Sequence, residues 1–339
     1  MAVIKDLSKL LGDEVFDFRD SKYKVLSCIF QGPFSSVYKL LASDGKLYAM
    51  KVESKKGYRD ERTALKLEVV VLKKLSGQPG FVSLKDYGRN ADWKVLMMEF
   101  VGPDLQNLQN LMPKKKFSIP TAYHVVVEVL DRMETLHEAG YLNRDLKAAN
   151  LAVGLGSQQR TVYMLDFGMA RRFVDPDGKI VIRKKGPICG TVPFASLATN
   201  NMDDMGPRDD LENWFYMAIH MIKGRLPWYY SDEEGPHFGS QFLLLTREWK
   251  QWCLEVDRPA LFEGIHRGWE EIYETIRACP RDEAAPIPEV RRLIKKIVQR
   301  EKIDLEQLLD WQVQPKLIQQ IQFSASRQTI YSKNVHGDM

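Results

Sequence analysis

The sequence has few cysteines, no long apolar segment and little net charge. Its four cysteines, among 339 residues, include no C-x-x-C pair, which argues against a disulfide framework or a zinc site and favours a reduced, intracellular setting. No apolar run approaches membrane-spanning length, and the N-terminus lacks the apolar core of a secretory signal. The net charge of +4 is too small to indicate nucleic acid by itself. We therefore expect a cytoplasmic monomer, with the nucleus as an alternative location, and neither a nucleic acid nor a membrane as a partner.

What is present is a globular composition whose pattern changes along the chain. Hydrophobic residues make up 44% of the chain and charged residues 28%, which is enough apolar content for a large core. In the first third, short alternating apolar segments predict one helix over residues 59–75 and strands over residues 23–30, 37–41, 47–53, 81–86 and 93–100. Later segments have helical periodicity, over residues 119–137, 211–222, 270–278 and 290–300. The patterns predict a small β-rich lobe followed by a larger α-helical lobe.

Lys51 and Glu68 are the first of several residues whose order along the chain suggests phosphoryl transfer. Lys51 ends a predicted strand, and Glu68 follows 17 residues later in a predicted helix. A pair between them would hold the lysine against the α- and β-phosphates of ATP. Either residue alone is more often an ordinary surface group.

The next group lies in one predicted loop. Asp145 suits the carboxylate that orients an attacking hydroxyl and accepts its proton, and Lys147 suits neutralisation of charge on the transferred phosphoryl group. Asn150 offers an oxygen ligand for Mg²⁺, and Asp166, in Asp-Phe-Gly after a predicted strand, offers another. Asp210 would accept hydrogen bonds from the backbone of this loop, although alone it would be a helix N-terminal acid favoured by the helix dipole.

As an ordered set, these residues resemble the eukaryotic protein kinases. Ala195-Ser196-Leu197 and Leu226-Pro227-Trp228 are similar to the casein kinase 1 group, and Tyr163–Arg171 looks like its tau-tubulin kinase branch. The resemblance implies an α+β, bilobal kinase-like fold. It divides the chain into an N-terminal extension, at about residues 1–19, and a kinase domain with a smaller lobe over about 20–100 and a larger lobe over about 101–312. A C-terminal tail follows at 313–339.

The resemblance also implies ATP and Mg²⁺ in the cleft between the lobes. The catalytic residues would be Asp145, Lys147, Lys51 and Glu68, with Asn150 and Asp166 holding magnesium. Met98 would be the gatekeeper beside a hinge from Glu99 to Val101. The residues expected to contact ATP are Phe30, Gln31, Gly32, Pro33, Phe34, Ser35, Val37, Ala49, Lys51, Met98, Glu99, Val101 and Ala152.

Three departures from the family pattern affect these expectations. The phosphate-covering loop keeps only the middle glycine, Gly32, and Pro33 stiffens it, so we expect weaker or altered ATP binding without its loss. Asn143 replaces the family histidine before Arg144, which removes roughly 1–2 kcal/mol of support for the active arrangement. Pro193 replaces an arginine, which would alter anion binding at the substrate site.

The segment from Gly168 to Gly190 contains no serine, threonine or tyrosine, so phosphorylation cannot switch it. The same segment is basic, through Arg171, Arg172, Arg183, Lys184 and Lys185. This is either a solvated basic loop or a docking patch for acidic or already phosphorylated protein substrates.

Two functions are compatible with these residues. The first is a serine/threonine protein kinase that transfers the γ-phosphate of ATP to protein hydroxyls, which we favour because every charged group that the chemistry uses is present. The alternative is a pseudokinase, a binding scaffold with impaired or absent turnover. Magnesium-dependent phosphate transfer would distinguish them.

Overall fold

A computed structural model of the chain describes residues 15–18, 21–32, 35–54, 64–89, 93–229 and 240–314. Pro33 and Phe34, two of the residues predicted to contact ATP, lie outside the described residues. So do most of the predicted N-terminal extension and C-terminal tail. The domain boundaries therefore stay predictions.

The first part of the chain forms an antiparallel sheet of six strands in the order β1–β2–β3–β4–β6–β5. The strands are β1 Val15–Phe18, β2 Ser21–Gln31, β3 Ser35–Ala42, β4 Leu47–Ser54, β5 Leu84–Arg89 and β6 Trp93–Glu99. The turn between β3 and β4 contains Gly45 at φ +80°, a conformation that glycine adopts without strain. Asp44 Oδ1 accepts the amide of Lys46 at 3.0 Å and so closes this turn.

Two features of this sheet differ from the prediction. The predicted strand over residues 81–86 is wrong in its position, because β5 begins only at Leu84 and Phe81 makes an isolated bridge to Met164. Phe81 and Val82 are apolar because they are buried in the core, not because they belong to the ladder. Strand β1 lies within the predicted N-terminal extension and pairs with β2.

The predicted helices are present, and the structure adds others that the periodicity did not predict, the longest over residues 240–255. They are α1 Ala64–Lys74, α2 Leu105–Leu111, α3 Ile119–Glu138, α4 Leu197–Asn200, α5 Pro207–Lys223, α6 Ser240–Glu255, α7 Arg258–Phe262, α8 Gly268–Ala278, α9 Ile287–Arg300 and α10 Asp310–Val313. Helix α3 begins after Ser118, whose hydroxyl accepts the amide of Thr121, and ends before Gly140 at φ +86°. In α1, Leu65, Val69 and Leu72 lie on one face and are buried.

Four short strands of the larger lobe determine where the loops lie. They are β7 Tyr141–Leu142, β8 Leu151–Val153, β9 Val162–Met164 and β10 Arg171–Arg172. Strands β8 and β9 form an antiparallel pair, and β10 pairs with β7. As a result, the loop after β7 and the loop after β9 are neighbours.

The larger lobe is built around α3 and α5. The central part of α5 is buried on all sides, including Trp214, Phe215 and Tyr216, and the indole of Trp214 donates to the carbonyl of Val126 on α3 at 3.1 Å. The predicted α+β, bilobal architecture is confirmed by this combination of a sheet lobe and a helical lobe. Among the described residues, every helix is too short or too polar to cross a membrane.

Candidate active site

Lys51 makes the predicted contact with Glu68 and a second contact with Asp166. Strand β4 and helix α1 place Lys51 Nζ 2.8 Å from Glu68 Oε2, and 2.9 Å from Asp166 Oδ1. Burial alone would lower the pKa of Lys51, but the two carboxylates outweigh it and raise that pKa. Burial raises the pKa of Glu68 against the opposing effect of Lys51. We take Glu68 as ionised, because a neutral carboxyl would leave the buried ammonium with Asp166 alone.

The loop after β7 is held from beneath by Asp210. This carboxylate, on α5, is fully buried and accepts the backbone amides of Asn143 and Arg144, each at 2.8 Å. His137, at the end of α3, places Nε2 2.9 Å from the same carboxylate. Arg144 has φ +68°, which is strained for any residue other than glycine. The charged acceptor stabilises that conformation, as the sequence predicted for Asp210.

Asn143 is fully buried beside the predicted catalytic base. Its Oδ1 accepts the amide of Asp145 at 3.0 Å. Its Nδ2 has no hydrogen-bond partner among the described residues, which costs about 1–3 kcal/mol for a buried donor. Asn143 therefore positions Asp145 through one polar atom and leaves the other unsatisfied.

Three side chains fix the carboxylate of Asp145. Thr191 donates its hydroxyl to Asp145 Oδ1 at 2.8 Å, and Lys147 Nζ lies 3.0 Å from Oδ2. Lys147 also donates to the Thr191 hydroxyl at 2.9 Å. Asn150 Nδ2 donates to Asp145 Oδ2 at 3.1 Å and to its backbone carbonyl at 2.9 Å. The predicted residues of this loop are thus in direct contact with one another.

The predicted magnesium ligands lie at the ends of the β8–β9 pair. The amide of Leu165 donates to the carbonyl of Asn150 at 2.8 Å, which ties the two loops together. Burial would raise the pKa of Asp166, but the charge and hydrogen bond of Lys51 outweigh it and lower that pKa. Asn150 Oδ1 and Asp166 Oδ2 accept no hydrogen bond from any described residue. An amide oxygen and an ionised carboxylate are the ligands that a hard divalent cation prefers, so these residues fit magnesium.

The predicted nucleotide-contacting residues line the junction of the sheet with the helical lobe. Ala49 on β4 lies opposite Met98 on β6, and Ala152 bridges to Asp104 just after the hinge. The amide of Val101 makes no hydrogen bond within the described structure, so it is available to a ring acceptor. These positions fit a flat base bonded to the hinge.

The phosphate-covering loop is closed by a hydrogen bond between Gly32 N and Ser35 O at 2.9 Å. The half-exposed ring of Phe30 lies against Gly32, and a Cβ added at Gly32 would stand 2.9 Å from the ring. Phe30 stands where the G-x-G-x-x-G motif of the resembled family has its first glycine. Its side chain therefore occupies the space that the middle glycine, Gly32, leaves open. This agrees with an altered rather than an absent phosphate contact.

One member of the predicted basic patch does not belong to it. Arg171 is buried, and its Nη2 lies 3.3 Å from the buried carboxylate of Asp204. The interior location follows from the pairing of β10 with β7, which turns Arg171 inward beside Leu142. Lys185 is exposed but lies 3.0 Å from Asp203, so the patch is smaller and less positive than the sequence indicates.

Sequence reasoning missed three residues of the site. His137 contacts Asp210, the carboxylate that holds the loop after β7, and no local spacing indicates this contact because the two residues are 73 positions apart. Thr191 follows Gly190 in the sequence, and nothing in that pair predicts a contact with Asp145. Asp204 stood in an acidic pair, Asp203-Asp204, whose spacing from Arg171 carried no signal.

Comparison with known proteins gives consistent matches. The family model described as the protein kinase domain matches residues 23–301. The serine/threonine-protein kinase spe-6 of Caenorhabditis elegans is 36% identical over 308 residues, which cover 90% of this chain and 79% of that protein. A Dictyostelium discoideum protein named a probable serine/threonine-protein kinase is 34% identical over 211 residues, which cover 61% of this chain and 42% of the longer protein.

Proposed function

Since this chain belongs to the protein kinase family and is a protein serine/threonine kinase, we propose that it is a magnesium-dependent, casein kinase 1-like enzyme close to the tau-tubulin kinase branch. The observation that carries the catalytic part of the proposal is the connected set of contacts from Glu68 through Lys51 to Asp166. Each charged group that phosphoryl transfer uses is present, and hydrogen bonds or ion pairs hold it in position. The subfamily rests on the motif resemblance alone.

The proposed mechanism assigns one task to each residue. ATP bound with magnesium would supply the phosphoryl group, and ADP would be the leaving group. Asp145 orients the substrate serine or threonine hydroxyl and accepts its proton, while Thr191 and Asn150 hold the carboxylate in place. Lys147 neutralises charge that develops beside Asp145, and Lys51 holds the phosphates. Asn150 and Asp166 would hold the magnesium.

Phosphate transfer by the purified chain tests this proposal. We expect magnesium-dependent incorporation of radiolabelled phosphate into a panel of protein substrates, and loss of it in Asp145→Asn, which keeps the shape but not the basic carboxylate. Melting of both proteins with ATP and magnesium provides the control for binding, because ligand that binds the folded state raises the melting temperature. Wild-type incorporation no greater than that of the variant, with both proteins folded, would favour the pseudokinase.

We also propose that the exposed part of the basic segment binds acidic or already phosphorylated substrates. Arg172, Arg183 and Lys184 are exposed, and neither Arg183 nor Lys184 has an ion-pair partner among the described residues. The backbone of this stretch is fixed by the bond of the Arg183 amide to Asp204 at 2.8 Å. Arginine at such a site pairs bidentately with phosphate.

A charge-matched pair of triple variants tests the docking patch. Arg183→Ala, Lys184→Ala and Lys185→Ala together should raise KM for an acidic or phosphorylated peptide more than for a neutral one. The control removes the same charge on exposed positions of α9, through Lys295→Ala, Lys296→Ala and Arg300→Ala. Equal effects of the two triple variants on the acidic peptide would show that only net charge matters.

A cytoplasmic monomer completes the proposal. The four cysteines are all free, which suits a reducing compartment. Light scattering of the purified chain and fractionation of cells that express it would test the two statements separately.

A further inference from the structure

Lys250, on α6, is a fully buried lysine outside the catalytic contacts described above. Lysine is almost never fully buried unless it is paired. Its Nζ donates to the carbonyls of Val192 and Ala195, at 3.2 and 2.5 Å, and to Asn200 Oδ1 at 3.1 Å. All three acceptors lie in residues 191–200, which we call the anchor segment.

The surroundings of Lys250 favour its charged form. Nζ lies over the rings of Tyr216 and Trp228, at 4.8 and 5.6 Å from their centroids, and ring faces attract cations. Burial lowers the pKa of Lys250 to about 7, and the nearby carboxylate of Glu212 opposes this shift. An ammonium supplies three N–H donors for the three acceptors, whereas a neutral amine supplies only two. We therefore describe Lys250 as an ammonium.

Buried side chains hold the anchor segment through hydrogen bonds to several of its backbone carbonyls. The indole of Trp228 donates to the carbonyl of Pro193 at 2.8 Å, between the two carbonyls that Lys250 binds. The amide of Leu197 donates to the buried carboxylate of Glu212 at 3.1 Å. The turn after Thr191 is therefore fixed by side chains of the helical lobe.

We propose that Lys250 is a positioning residue that fixes the anchor segment as the platform on which the protein substrate lies. The anchor segment begins with Thr191, which touches both Asp145 and Lys147. A shift of the turn would therefore displace the substrate chain relative to the catalytic carboxylate. Lys250 makes no contact with the residues that hold Lys51, so the effect on ATP should be small.

The test compares Lys250→Met with Lys223→Met. Methionine is unbranched like lysine and only one heavy atom shorter, and it removes the ammonium. Lys223 on α5 is a matched control, because it also donates to backbone carbonyls, those of Ala260 and Leu261, away from the anchor segment. We expect Lys250→Met to raise peptide KM about tenfold, the scale of one lost charged hydrogen bond, with ATP KM unchanged. Lys223→Met should leave peptide KM unchanged.

Hydrogen exchange gives a readout that does not depend on turnover. The amides of Phe194, Ala195 and Asn200 are hydrogen-bonded within the anchor segment, and they should exchange faster in Lys250→Met while those of α9 are unaffected. Unchanged peptide KM, or equal increases in peptide and ATP KM, would overturn the proposal. If Lys250→Met fails to fold, Asn200→Ala provides the test instead, because it removes one of the three acceptors of Lys250. A raised peptide KM would support the proposed role of Lys250, and an unchanged peptide KM would refute it.

The proposal rests on the proposed kinase function, and the two can fail separately. If the wild-type chain transfers no phosphate, the proposed kinase function is refuted. Hydrogen exchange in the anchor segment still tests whether Lys250 fixes that segment. Faster exchange in Lys250→Met then supports the anchor, and exchange equal to that of the wild type overturns it.

Discussion

Replacement of Asn143 by leucine should stabilise the protein and slow the reaction. The two side chains are similar in size, and the site is fully buried. Leucine removes the unsatisfied Nδ2, whose burial without a partner costs about 1–3 kcal/mol. It also removes the bond from the Asp145 amide to Oδ1 at 3.0 Å, worth about 1 kcal/mol net. The balance is a gain of about 1 kcal/mol in the free energy of unfolding.

The rate should change in the opposite direction. Asp145 as a residue is only half-buried, so we expect water to replace Oδ1 as the acceptor of its amide, but water does not fix the position of the carboxylate. We expect kcat to fall about tenfold, corresponding to about 1.4 kcal/mol of lost positioning. Urea unfolding and steady-state kinetics on the same preparation measure the two effects.

Asn213→Leu is the matched control for this experiment. Asn213 is also buried, on α5, and its Oδ1 has no partner among the described residues. Its replacement should change stability without changing kcat. If Asn143→Leu is instead destabilised by more than about 1 kcal/mol, Nδ2 has a partner such as a bound water, and our reasoning about the unsatisfied donor is wrong. An unchanged kcat would mean that Asn143 does not position Asp145.

Two further substitutions test buried ionisable groups. Burial lowers the pKa of His220 to about 4, from 6.5 for an unperturbed histidine. As the pH falls, the imidazole is therefore protonated in the unfolded chain before it is protonated in the folded one. The free energy of unfolding should decrease between pH 6.5 and 4 by up to about 3 kcal/mol. His220→Phe should remove that part of the pH dependence in urea unfolding, and an unchanged dependence would contradict it. Asp204→Asn should cost about 3 kcal/mol, because it leaves the buried Arg171 unpaired. The control Asp203→Asn, which breaks an exposed pair with Lys185, should cost less than about 1 kcal/mol; equal costs would show that burial does not matter here.

The parts of the site that the sequence predicted are those set by local spacing or by the ordered set of family motifs, which includes Lys51, Glu68 and Asp210. Asp145, Lys147 and Asn150 meet because one short loop carries all three, and Asp166 follows directly after a strand. The contact of His137 with Asp210 joins two helices, and no period in either helix indicates which buried polar groups will face each other. The wrong start of the strand predicted over residues 81–86 has a related cause, because an apolar pair such as Phe81 and Val82 can be buried outside a ladder as well as within one.

The arrangement of residues 168–200 leads to a last prediction. This stretch has no phosphoacceptor before Thr191, yet it is held by the buried pair of Arg171 with Asp204 and by Lys250 beneath the anchor segment. The carboxylate of Asp204, paired with Arg171, thus supplies the negative charge that a phosphate would otherwise supply, and Lys250 adds hydrogen bonds to the backbone. Protein treated with a phosphatase should therefore keep the kcat of untreated protein. A large loss of kcat on treatment, restored by rephosphorylation, would mean that these internal charges do not hold the segment by themselves.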